Sequence, residues 1–167
     1  FAWQNVAKAE QVHGDGVAEV IGDADGGQPI PGVDGLILPP GAHGRALGIY
    51  VADCAAIYIV CPRTRALGLV HSGRKGSELG IAGKAISRMV DRYGCDPGEL
   101  ILQISPCIRP PHYEVDLAPM ILRSSLAVGV PERNIHDCRS CTANDPGRYY
   151  SYRVEKGATG RMLAILG

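Results

Sequence analysis

Three short segments of this sequence carry side chains that could do chemistry. His13 precedes Gly14 in a predicted turn, Cys54 follows Asp53 inside an apolar stretch, and His71 ends an apolar run. Two imidazoles and a thiolate are N, S, N donors for a zinc ion whose fourth position stays open to water or substrate. Alternatively, Cys54 and either histidine would form a nucleophile–base pair. The spacing of these residues leaves both interpretations open.

A basic loop follows His71 directly. Gly73 to Ser77 leads into the clearest predicted helix, so its backbone N–H groups would lie at a helix N-terminus with Arg74 and Lys75 beside them. Such a terminus attracts anions. Neither P-loop nor dinucleotide-binding spacing is present, so the loop predicts an anion preference without a nucleotide motif.

The elements that must position these residues are short. Apolar runs rich in Val, Ile and Tyr, punctuated by Gly, Pro and Asp, predict strands over 17–21, 35–38, 47–52, 55–60, 66–70, 100–104, 149–154 and 162–166. Apolar residues at helical spacing predict one helix over 77–93, capped by Ser77, and a second over 116–128, capped by Asp116. Strands and two main helices mixed in this way predict a layered α/β fold with a mixed β-sheet. No repeat or linker interrupts the chain, so we expect a single domain over residues 1–167.

Composition excludes several function classes. The 17 basic and 17 acidic residues cancel, so no strong field draws the protein to nucleic acid or to an anionic membrane. The bases outnumber the acids only after residue 60, so an anionic substrate would meet the second part of the chain. No apolar run approaches the roughly 20 residues that span a bilayer. Without a visible signal peptide, and with six cysteines in a chain large enough to bury a core, we expect a cytoplasmic protein with reduced thiols.

The sequence resembles the multicopper polyphenol oxidoreductase, or laccase domain, family, formerly a domain of unknown function and also described as purine nucleoside phosphorylases. The matching pieces follow the family's order and cover residues 11 to 161. They are Gln11-Val12-His13-Gly14, Asp34-Gly35-Leu36-Ile37, Ala52-Asp53-Cys54, His71-Ser72-Gly73-Arg74-Lys75-Gly76, Ser105-Pro106-Cys107-Ile108, Tyr113-Glu114-Val115, Cys141-Thr142, Tyr150-Ser151-Tyr152-Arg153 and Thr159-Gly160-Arg161.

The resemblance implies a site, a reaction and a fold. It implies that His13, Cys54 and His71 bind zinc and take part in catalysis. The reaction would be phosphorolysis of adenosine or inosine, with adenosine deamination as a second activity, so the partners are a purine nucleoside and phosphate. Phosphate would bind at Gly73, Arg74 and Lys75, and the pocket candidates are Gln11, Asp53, His112 and Tyr113. The implied fold is similar to the cytotoxic-necrotizing-factor-like cysteine hydrolases.

Three other functions compete with this interpretation. Cys54 as nucleophile with His71 as base would make a hydrolase or amidase of a small-molecule or peptidoglycan-precursor amide. Copper-dependent polyphenol oxidation is disfavoured, because laccase chemistry needs a histidine-rich ligand array and the five histidines contain no His-x-His pair. A non-enzymatic, zinc-stabilised binding module is the third.

The sequence departs from the family at two places. The family's fourth motif usually reads His-Ala-Gly-Trp-Arg-Gly, whereas Arg74 stands here for the tryptophan and Lys75 for the arginine. A lysine lacks the bidentate fork of an arginine, and the lost tryptophan removes a stacking wall, so these changes bear on substrate choice and efficiency. Family members are also typically longer at the N-terminus, so we expect either a fragment or a divergent member whose domain is shortened there.

Overall fold

The regular elements of this computed structural model lie within residues 2–21 and 28–167, the part of the chain that the structure describes. The strands are β1 (Val6–Lys8), β2 (Val17–Glu19), β3 (Gly35–Leu38), β4 (Ala46–Val51), β5 (Ala55–Val60), β6 (Leu67–Ser72), β7 (Ile101–Ile104), β8 (Ile135–Asp137) and β9 (Met162–Leu166). The helices are α1 (Arg74–Glu78), α2 (Ile81–Tyr93) and α3 (Leu117–Ala127).

The strands form two sheets, which makes the fold mixed α/β as predicted but not built on one sheet. The larger sheet has six strands in the order β2-β3-β6-β5-β7-β8, and the smaller has the order β1-β4-β9. Both mix parallel and antiparallel pairs: β1 runs parallel to β4, whereas β5 and β6 form an antiparallel hairpin. Local patterns do not reveal which sheet a strand joins, because that depends on pairing between distant segments.

Two hydrophobic cores explain why the strands read as continuous apolar runs. Ile37 and Val70 belong to a core shared with α2 and α3, whereas Leu36 and Leu69 belong to a core shared with β4 and β9. Successive side chains of a strand point to opposite faces. The six-stranded sheet is therefore covered by helices on one face and by the smaller sheet on the other, and both faces are apolar.

The predicted helix over 77–93 is instead two helices. Gly80 adopts φ +71°, a left-handed conformation that ends the first helical turn and serves as the N-cap of α2. Ser77 does not cap the long helix and lies inside the five-residue α1. The C-terminal stop at Gly94 is confirmed, and so is the Asp116 cap of α3, whose side chain accepts the N–H of Ala118. Among the described residues, no helix is both long and apolar enough to cross a membrane.

The strand predicted over 149–154 is wrong. This segment forms turns, and Tyr150, Tyr152 and Val154 are about half exposed. Aromatic and β-branched composition favours a strand only where a partner strand and a buried face exist, and this segment has neither. β1 and β8 were not predicted, since three residues are too few to show an alternating pattern.

Candidate metal centre

The three candidate metal ligands, His13, Cys54 and His71, lie close together in the structure. His13 lies in the turn after β1, Cys54 in the turn between β4 and β5, and His71 near the end of β6. Their ligand atoms all lie within 4.8 Å of one another. The predicted convergence is confirmed, although 41 and 17 residues separate them along the chain. His71 is buried, Cys54 half-buried and His13 exposed, so the cluster is reached from one side.

Strained backbone presents two of these side chains. His13 has φ +58°, and Asp53, directly before Cys54, has φ +80°. A non-glycine residue in this region costs on the order of 1 kcal/mol or more and persists only where surrounding contacts impose it. Asp53 shows those contacts: its buried carboxylate accepts the Thr142 hydroxyl at 2.6 Å and the Arg153 backbone N–H at 2.8 Å. The turn that carries Cys54 is therefore anchored to the C-terminal part of the chain.

Asp34 organises both histidines. Its fully buried carboxylate lies 2.7 Å from His71 Nδ1. The same carboxylate accepts the backbone N–H groups of Val12, His13 and Gly14 at 3.1, 2.9 and 2.7 Å. Burial raises the pKa of Asp34, but the bonds to His71 and to these N–H groups outweigh burial and hold it below its ordinary value. A permanent negative charge therefore lies behind the cluster.

Cys54 and His71 perturb each other's protonation. Burial raises the pKa of the Cys54 thiol, but hydrogen bonds with His13 and His71 outweigh burial and lower it to about 7. Burial lowers the pKa of His71, but its bonds with Asp34 and Cys54 prevail and raise it to about 9. Without a metal, a substantial fraction of Cys54 is therefore a thiolate at neutral pH, beside a protonated His71.

Gly73 forms one wall of the cluster. A Cβ atom at this position would lie 2.9 Å from Cys54 Sγ and 3.3 Å from His13 Cδ2. The backbone φ of −86° suits any residue, so the constraint is steric. Glycine is required here because the loop after β6 passes directly against two of the three donor side chains.

The cluster opens into a cavity of about 880 Å³. Its walls include the predicted pocket residues Gln11, Asp53 and Tyr113, together with Tyr50 and Tyr152. The Gln11 amide is fixed by two hydrogen bonds to the backbone of Tyr50. His112 does not line the cavity. It is exposed, and its Nε2 is hydrogen-bonded to Asn144 Oδ1 at 2.8 Å, so that predicted pocket position is wrong.

The two cations of the basic loop both line the cavity but differ in their partners. Arg74 forms ion pairs with Glu78 at 2.9 Å and Glu114 at 3.3 Å. Within the described part of the chain, no carboxylate lies within ion-pair distance of Lys75. Arg74 and Lys75 lie inside the five-residue α1 rather than in a loop before the predicted long helix, so the unpaired side-chain charge of Lys75 is what this segment offers an anion.

The donor set fits a metal ion. Two nitrogens and one sulfur are typical zinc ligands, with bonds of about 2.0–2.3 Å, and the three donor atoms here lie within 4.8 Å of one another. The bond from Asp34 to Nδ1 leaves Nε2 of His71 for the metal, which is the carboxylate–histidine arrangement of many metal sites. Three protein ligands leave a position free for substrate.

Two site residues received no role from sequence reasoning. Asp34 directly precedes the buried strand β3 and is itself buried. A single carboxylate beside an apolar run, with no partner nearby in the sequence, is the signal that could have identified it as a site residue. Arg153 lines the cavity from a segment that was predicted as a strand. Its position depends on the contact with Asp53, 100 residues away, which no local pattern encodes.

Known proteins resemble the whole chain. The family model of multi-copper polyphenol oxidoreductase laccases matches residues 1–120 and 114–167. A purine nucleoside phosphorylase of Geobacillus stearothermophilus, YlmD, is 32% identical over 194 aligned positions, covering 95% of this chain and 70% of that protein. The purine nucleoside phosphorylase ORF3 of Streptomyces griseus is 32% identical over 77% of this chain and 48% of its own. The crystal structure of YlmD superposes with a TM-score of 0.86 at 30% identity, over 99% of this chain and 74% of that chain. The chain thus spans from about half to 70% of the length of these curated relatives.

Proposed function

The chain belongs to the multi-copper polyphenol oxidoreductase laccase family, and we propose that it is a zinc-dependent purine nucleoside phosphorylase acting on adenosine or inosine. In this reaction a phosphate oxygen bonds to C1′ of the ribose while the bond from C1′ to the purine nitrogen breaks, giving free base and ribose 1-phosphate. The observation that carries the proposal is the His13–Cys54–His71 cluster at the base of a cavity of about 880 Å³ with tyrosine and cationic walls.

The residues of the cluster would hold the metal. His13, Cys54 and His71 supply the ligands, and Asp34 fixes the orientation of His71. When bound, zinc supplies Lewis-acid polarisation and, for adenosine deamination as a second activity, activation of water. Gly73 keeps the space beside the donors free of any side chain.

The cavity walls would bind the substrates. Lys75 is the loop cation best placed for phosphate, because Arg74 is already paired with Glu78 and Glu114. The rings of Tyr50 and Tyr152 offer apolar faces against which a purine can stack. The volume is within the range of small-molecule sites, about 300–1,000 Å³.

A turnover assay with metal analysis tests this function. The purified protein is loaded with zinc and incubated with adenosine or inosine, with and without phosphate. We expect phosphate-dependent release of base and ribose 1-phosphate, loss of activity after chelation, and recovery with zinc. C54A should lose both metal and activity. Absence of phosphate-dependent base release from the metal-loaded protein would contradict the proposal.

A cysteine hydrolase or amidase is the second candidate. The low pKa of Cys54 and the high pKa of His71 favour it, since such a pair is an activated nucleophile and its base. The fold similarity to cysteine hydrolases, which the family resemblance implies, belongs with this candidate function. Amide hydrolysis that survives chelation and is abolished by alkylation of Cys54 would support it over phosphorolysis. Copper found in the native protein would instead favour phenol oxidation.

A further inference from the structure

Arg153 reaches the site through its own backbone. Its N–H donates to Asp53 Oδ2 at 2.8 Å, and Asp53 directly precedes the cluster residue Cys54. The hydrogen bond involves the main chain of Arg153, so it is independent of the side chain. The guanidinium group is therefore available for another partner while its backbone is fixed beside the cluster.

The guanidinium of Arg153 lies at the cavity wall without a counter-charge. It stacks on the ring of Tyr113 at 4.5 Å, and both residues line the cavity. Of the residues that the structure describes, none places a carboxylate within ion-pair distance of Arg153, in contrast to Arg74 and Arg109. A planar group with several N–H donors, placed over an aromatic ring at the wall of a cavity, suits a tetrahedral oxyanion.

Tyr113 brings Arg153 close to the basic loop. Tyr113 lines the same cavity as Arg74 and Lys75, and, after Glu78, it contributes to the raised pKa of Arg74. Arg153, which lies over the Tyr113 ring, and the segment that carries Lys75 therefore face one cavity. Arg161 also lines this cavity, and its guanidinium donates to the carbonyl groups of Thr159 and Gly160 at 3.2 and 2.8 Å.

We propose that Arg153 is a specificity-determining residue that binds the phosphate group of the substrate, with Lys75 as the second positive charge. The inference rests on the proposed function and extends it, because the basic loop alone supplies only a single unpaired point charge. Two sources share this chemistry: free inorganic phosphate as co-substrate and the phosphate of a nucleotide. The predicted phosphate site at Gly73, Arg74 and Lys75 would thus be completed from a distant segment.

Substitution of Arg153 tests the subsite. R153Q removes the positive charge, whereas R153K keeps the charge but lacks the bidentate guanidinium group. Both variants retain the backbone hydrogen bond to Asp53. The matched control is R148Q, since Arg148 stacks on Tyr149 at 5.4 Å outside the cavity lining. Inorganic phosphate and adenosine 5′-monophosphate are titrated separately into each zinc-loaded protein by calorimetry, and the KM for phosphate is measured with inosine.

We expect R153Q to weaken phosphate binding ten- to a hundredfold and to raise the phosphate KM equally. R153K should fall between, and R148Q should match the parent. The kcat at saturating phosphate, the inosine KM and the zinc content should stay within about twofold. A loss for the monophosphate alone would support the subsite and assign it to a nucleotide. Unchanged binding of both probes by a folded R153Q would overturn the inference.

The two proposals fail in different ways. If the parent protein binds phosphate through Arg153 but releases no base, the phosphorylase function is wrong and the subsite stands. If the parent releases base and R153Q keeps both the parent's phosphate KM and the parent's affinity for adenosine 5′-monophosphate, the function stands and the subsite is wrong.

Discussion

The carboxylate of Asp34 lies 2.7 Å from Nδ1 of His71. Both side chains are buried, with 0% of the Asp34 surface and 3% of the His71 surface exposed to solvent. The same carboxylate accepts three consecutive backbone N–H groups around His13. One buried charge therefore orients two of the three donor residues, although Asp34 itself is not among the residues that line the cavity.

The first prediction concerns Asp34. D34N removes the charge behind His71, so metal affinity should fall about 10- to 100-fold, as for other partners of metal-binding histidines. Competition with a chromogenic chelator measures this change. D116N is the matched control, because Asp116 caps α3 and the metal affinity should not respond. Equal zinc affinity in a folded D34N would show that Asp34 has only a structural role.

The second prediction concerns the pH dependence of Cys54. The thiolate is the reactive form, and a pKa of about 7 means that alkylation of the metal-free protein should reach half its maximal rate near pH 7 rather than near 9. D34N should move this midpoint to higher pH, because a less basic His71 no longer stabilises the thiolate. Mass spectrometry of iodoacetamide-treated protein gives the rate.

Zinc should protect Cys54 from the same reagent. Exposed Cys138 is an internal control that should react with and without zinc, whereas buried Cys61 and Cys95 should show no metal-dependent protection. Equal labelling of Cys54 in both states would count against a coordinating thiol.

The third prediction concerns Gly73. A methyl group there would lie 2.9 Å from Cys54 Sγ, so G73A should displace the thiol and reduce zinc affinity at least tenfold with little change in thermal stability. G147A is the control, since its Cβ would make only an ordinary contact of 3.5 Å with Asp145. Wild-type zinc affinity in G73A would contradict this prediction, because it would mean that the segment around residue 73 moves away from Cys54 without disturbing the zinc ligands.

The fourth prediction concerns Lys75. A charge-assisted hydrogen bond contributes about 1.5–3 kcal/mol, so K75A should raise the phosphate KM roughly ten- to a hundredfold. K75R should lower it by restoring a bidentate fork, and zinc content should stay constant in both. K84A is the control, because Lys84 pairs with Asp15 away from the cavity. Turnover by K75A equal to the parent at all phosphate concentrations would place phosphate elsewhere and favour the hydrolase.

Much of the fold follows from local sequence patterns. The bounds predicted for β3, β5 and β9 agree with the structure, and α3 begins after its Asp116 cap. These elements are recognisable because their apolar periodicity and punctuation are complete within a few residues. The failures have two causes: the segment over 149–154 has strand composition but no partner strand, and the break at Gly80 needs a backbone conformation that an apolar stripe does not reveal.

By itself, the sequence determined the kinds of atoms at the site: two imidazoles, one thiol and a basic loop, in an order that resembles one family. The tertiary structure alone decided how these groups act on each other. It placed Asp34 behind His71, Gly73 against Cys54, and Arg153 beside Asp53. Each of these contacts joins segments 19 to 100 residues apart. Such contacts form only when sheet pairing and core packing close the intervening chain, which is a property of the whole fold rather than of any local pattern.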